Sequence, residues 1–111
     1  MQHKEYNGWT NYETWLMSLW IDNEESTSRY WNATAQEEYD EAEADRSFSR
    51  DERATLNLSD RLKNEFEEQQ PDLGASFWSD MLNAAMSEVN WYEIAEHHIA
   101  DVEKEAEATE E

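Results

Sequence analysis

With 28 acidic against 8 basic side chains in 111 residues, the chain carries a formal charge of -20, which repels nucleic acid and anionic membrane surfaces and attracts basic proteins or cations. The absence of cysteine excludes disulfides, thiolate metal sites and a cysteine nucleophile. The length fits one domain with one small core, and the six tryptophans, each able to bury roughly 150–250 Å², supply material for it.

The opening residues, MQHKEYNG, lack the basic segment and apolar run of a secretory signal. The longest uncharged apolar stretch, Trp15 to Ile21, is too short for a bilayer span. A cytoplasmic protein without membrane contact is expected. Two glycines, one proline and no strict apolar–polar alternation leave strands without support. Thr10 with Glu13 three residues on forms a capping box, predicting a first helix from about Asn11 to Asp22. Its positions Tyr12, Trp15, Leu16, Leu19 and Trp20 recur at spacings of three and four, the signature of one buried face.

After DNEESTS a second helix is predicted from about Ser28 to Ala44, with a weaker apolar stripe and with Glu37, Glu41 and Asp45 on another face. Ser49 and Glu52 make a second capping box, opening a third helix that carries Leu58, Leu62 and Phe66. It must stop by Gln70, because Pro71 disfavours helix at the residue before it. A fourth, from about Phe77 to Glu88, aligns Trp78, Met81, Leu82, Ala85 and Val89. Asn90 with Glu93 caps the fifth, where Ile94, Ala95, His98, Ile99 and Val102 form the apolar face. The expectation is an all-α compact bundle of four to five helices, one domain over residues 1–102, with an acidic C-terminal tail over 103–111 that frays. Its core is expected from Tyr12, Trp15, Leu16, Leu19, Trp20, Leu62, Phe66, Trp78, Leu82, Ile94 and Ile99.

The stretch YNGWTNYETWLMSLWIDNE resembles the opening block of a family of small uncharacterised proteins of phages, plasmids and prokaryotic genomes, and VNWYEIAEHHI resembles that family's second block. Together they span residues 6–24 and 89–99. The resemblance implies a mobile-element setting and brings no activity, cofactor or catalytic residue.

The residues themselves offer few sites. Aromatic platforms that stack bases sit in positively charged grooves, whereas the first twenty residues hold only Lys4 against two acids. The tryptophan stripe therefore reads as packing, with Trp9, ahead of the cap, as the candidate exposed aromatic. Glu93, His97 and Asp101 share one helix face with ligand chemistry suited to a divalent cation. In so acidic a chain such proximity arises by chance, so no metal and no cofactor are expected, and a cation there stays as an alternative. No phosphate-binding glycine loop or nucleophile elbow occurs, so a non-enzymatic protein is expected.

The acids remain. Residues 22–45 hold nine with one base, and residues 93–111 hold eight with one base. On a helix, acids three or four apart stand about 5–6 Å from each other, of the order of the ~3.4 Å axial repeat of phosphates along a DNA strand. Glu37, Glu41, Asp45, Glu103 and Glu107 are thus the candidate partner-binding face. It would occupy the nucleic-acid-binding surface of a basic protein, with no direct contact to nucleic acid. Two alternatives stand beside this DNA-mimic reading: a halophile protein whose charge is salt adaptation, and a helical adaptor docking a partner helix.

Overall fold

Asn11, Ser49, Ser76 and Asn90 each set a side-chain oxygen on the backbone amide three residues ahead, satisfying a donor that a helix start leaves orphaned. In the computed structural model, which describes residues 6–109, these caps open four of five helices. They are α1 (Tyr12–Asn23), α2 (Glu25–Glu41), α3 (Arg50–Gln69), α4 (Phe77–Ser87) and α5 (Trp91–Thr109). The described residues contain no strand beyond an isolated bridge between Tyr6 and Trp9. The chain is an all-α bundle, as expected.

Three helices make the core. Tyr30 with Glu65, Glu37 with Arg61 and Asp45 with Arg53 set α2 antiparallel to α3, while Phe66 on Trp91 and Asp51 on Glu103 set α5 antiparallel to α3. Fully buried Ala35, Ala54 and Ala95 let the three backbones approach, around Leu58, Leu62, Ile94 and Ile99. Trp31, Phe66 and Trp91 stack in sequence with centroids 5.9 and 5.8 Å apart. Helix α1 packs on α2 and α5, and α4 lies outside the trio at the end where α3 stops and α5 begins. The molecule measures 53 × 34 × 34 Å.

Several expectations are corrected. The cap of α1 is Asn11, one residue past Thr10. Helix α2 starts at Glu25 and ends at Glu41. Helix α5 continues through Thr109, where a frayed tail was expected from residue 103. Of the expected core, Leu62, Ile94 and Ile99 are buried; Trp15, Leu16, Leu19, Phe66 and Leu82 are partly buried; Tyr12, Trp20 and Trp78 are exposed. The reason lies in α1: its buried residues are Thr14, Ser18 and Ile21, on the side opposite the aromatic stripe. Small side chains there allow close approach, and the Thr14 hydroxyl accepts the Asn90 amide at 2.8 Å. That contact turns the bulky face outward.

Candidate functional site

The N-terminal block is held against the C-terminal one. Asn7 and Gly8 both adopt positive φ, 54° and 93°, in a tight turn that Asn and Gly tolerate and that the Trp9 amide closes onto the Tyr6 carbonyl at 2.9 Å. The turn lays Trp9 over His97, rings stacked with centroids 4.1 Å apart. Trp9 is therefore partly buried against the core, not a free aromatic. Next in the chain, the Thr10 amide donates to Glu93 Oε1 at 3.1 Å, and Asn11 Nδ2 donates to the Glu88 carbonyl at 2.8 Å. The two stretches that carry the resemblance are one structural unit.

Glu93, His97 and Asp101 consequently do not converge. Glu93 is buried on Thr10, whereas His97 is exposed with one ring face stacked on Trp9. Among the described residues, no group of three or more His, Asp and Glu is placed to hold a metal ion. His98 is the core histidine expected from its place on the apolar face: it is buried, with Nδ1 3.2 Å from Asn32 Oδ1 and Nε2 3.9 Å from Asp22. Desolvation pulls its pKa below the ordinary value, against the opposing charges of Asp22 and Asp101.

The five candidate acids divide. Glu37 shares Arg61 with Glu38, at 3.3 and 3.0 Å, and the pair raises the guanidinium's pKa, Glu38 contributing more. Asp45 holds the α2–α3 connection: its Oδ1 accepts the amides of Ser47 and Phe48, each at 2.9 Å, and its Oδ2 binds Arg53 at 2.7 Å. Arg53 first, then the two amides, keep its carboxyl below the usual range. Both residues thus serve the α2–α3 seam. Glu41 and Glu107 are exposed.

Glu103 belongs to a feature that spacing did not reveal. A cleft of about 520 Å³ runs between the start of α3 and α5, lined by Asp51, Glu52, Glu96, Asp101 and Glu103, with Lys104 its one lysine and His97 beside it. A hydrogen bond that the neutral Glu103 carboxyl donates to Asp51, with burial and the charges of Asp51 and Glu107, pushes Glu103 up to about 7. Burial, with Glu96 and Glu52 nearby, raises the pKa of Tyr92 in the same cleft. Asp51 and Glu52 lie within residues 46–70, where six acids meet five bases, so charge counting along the chain passed over them. Only the antiparallel pairing of α3 with α5 brings them to the acids of the last helix.

A second surface is apolar. Leu16, Met17 and Trp20 of α1 face Leu82, Ala85 and Met86 of α4 across a trough of about 350 Å³. Trp20, Phe77, Trp78 and Met81 are 64%, 63%, 68% and 53% exposed.

A family model described as a family of unknown function (DUF7249) matches residues 2–110, and the chain belongs to that family. No curated protein and no solved structure matches it. Among the described residues no helix is long and apolar enough to cross a membrane.

Proposed function

Given a family whose role is open, we propose that the chain is a non-enzymatic acidic binding protein whose partner is a basic protein, engaged through the α3–α5 cleft. The observation that carries this is the convergence of five carboxylates from α3 and α5 on one cleft with a single lysine, where the hydrogen bond to Asp51, burial and the repulsion of Asp51 and Glu107 hold Glu103 up to about 7. A lysine or arginine entering the cleft relieves that repulsion, so contact is favoured electrostatically and steered at long range. In its finer form the partner surface is one that ordinarily holds nucleic acid, and the acids of α3 and α5 stand in for phosphates. The acids engaged are then Glu103 and Glu107 with Asp51 and Glu52; Glu37 and Asp45, tied to arginines, contribute less. A mobile-element setting, which the opening block's resemblance implies, suits an inhibitor of that kind.

The test is capture on the immobilised protein, at low and high salt, of basic nucleic-acid-binding proteins from a cell lysate. Expected are partners released by salt, displaced by duplex DNA and lost when Glu52 and Asp101 are both replaced by lysine. Recovery of only acidic or neutral proteins, or of basic ones indifferent to the double replacement, rejects the reading. A chain that stays folded in low salt counts against the salt-adaptation alternative, since high-salt proteins need screening over roughly 10 Å at 0.1 M to relieve self-repulsion.

A further inference from the structure

The trough between α1 and α4 lies at the other end of α3 from the acidic cleft. Leu16, Met17, Phe66, Leu82, Met86 and Val89 line it, and the carboxylate of Glu13 is its one ionisable group. Trp20 stands at its rim, mostly in water. Along α4 the apolar stripe runs past the trough, because Trp78 and Met81 sit one turn before Leu82 and Ala85.

At roughly 150–250 Å² per aromatic side chain, Trp20, Phe77, Trp78 and Met81 leave on the order of 500 Å² of apolar surface in water. That is near the upper end for a monomer, about 300–600 Å², where such patches are often functional. It falls short of the roughly 800 Å² that each partner of a standard globular interface contributes. The patch matches one helix laid lengthwise.

Charge narrows the occupant further. Neither α1 nor α4 contains a lysine or arginine, while Glu13 lines the trough, Asp80 lies on α4 and Glu88 immediately follows it. A second copy of the chain brings its own -20 to the contact, and like-charge juxtaposition at an interface is costly. We propose that the α1–α4 trough docks a single amphipathic helix of a partner protein, apolar on the face laid into the trough and rich in lysine or arginine along its flanks. This site is separate from the acidic cleft, and either can fail alone.

The probe is a synthetic leucine–lysine peptide with leucines at helical spacing, set beside a scrambled peptide of identical composition and charge, both read by the protein's tryptophan fluorescence. The patterned peptide is expected to bind at least tenfold more tightly than the scrambled one. Trp20→Ser and Ala85→Glu should each remove most of that preference, the second even though it adds a negative charge; circular dichroism reports that both variants are folded. A Glu52→Lys/Asp101→Lys variant should weaken both peptides alike and keep their ratio, so loss of the cleft and loss of the trough give different signatures. Equal affinity for the two peptides overturns the proposal. So does a preference that survives both trough variants, or sedimentation as a dimer that Trp20→Ser dissociates.

Discussion

Helix α4 is among the most apolar stretches of the chain and buries none of its residues, whereas α3, with ten charged residues in twenty, buries Ala54, Thr55, Leu58 and Leu62. The difference is geometric. The four residues of α3 return at spacings of one, three and four, so one narrow stripe meets α2 and α5 and the charges ring the outside. The apolar residues of α4 surround more of its circumference, and the helix touches the bundle along one edge only. Burial follows the arrangement of apolar groups, not their number. The surplus on α4 is left for another molecule.

The widest gap between these helices should appear in stability. Leu58→Ala, at a fully buried site, is expected to cost about 2–5 kcal/mol by cavity formation. Trp78→Ala, at a site 68% exposed, should stay within about 0.5 kcal/mol. Urea denaturation of the two variants decides it, and comparable losses would mean that α4 is part of the core.

A smaller effect tests how α1 is attached. Thr14→Val keeps the shape and removes the acceptor for the Asn90 amide, leaving a part-buried donor unmet, for an expected loss of about 1–3 kcal/mol. Thr14→Ser should restore most of it. If valine is neutral, α1 is held by packing alone, and the outward turn of its aromatic face needs another cause.

The smallest effect, and the one with a sign, comes from pH. The Glu103 carboxyl is raised from 4.5 to about 7 in the folded chain, so its protonated form favours folding, and that contribution is lost as pH rises from about 4.5 through 7. Glu103→Gln should therefore gain about 1 kcal/mol at pH 8, most of the nominal worth of the shift being screened by water at a partly exposed site. The gain should vanish by pH 4. His98 runs the other way: its depressed pKa contributes stability above its ordinary 6.5 that is lost on acidification. Thermal melts of the Glu103→Gln and parent chains across this range separate the two. An identical pH profile for both would remove Glu103 from the balance.

Much of the fold could be read from capping chemistry. Ser49 with Glu52, Asn90 with Glu93, and the stop before Pro71 mark ends that the helices keep. The core was legible only where one stripe dominated, as at Leu62, Ile94 and Ile99. On α1 apolar residues lie on several sides, so periodicity could not choose between the aromatic face and the Thr14–Ser18–Ile21 face; the Asn90 amide makes that choice. Trp31 belongs to a stripe too weak to be singled out, while Trp91, the first residue of α5, continues the stripe of Ile94 and Ala95 and was passed over only because it stands at the helix start. Of the candidate acids, Glu103 lies in the cleft, while the arginine partners of Glu37 and Asp45, 24 and 8 residues away, could not be read from spacing along one helix. Trp9 was misread for want of His97, which lies on the last helix.

The bonds that seat α1 join residues 76 to 83 positions apart. A chain made from its N-terminus thus completes its first helix long before the surface that receives it exists. Only the face it shares with α2, the next helix, can form early, closing a short loop at low entropic cost, while its partners at the start of α5 come last. Until then the aromatic block of α1 waits exposed, with the acids that follow it resisting self-association.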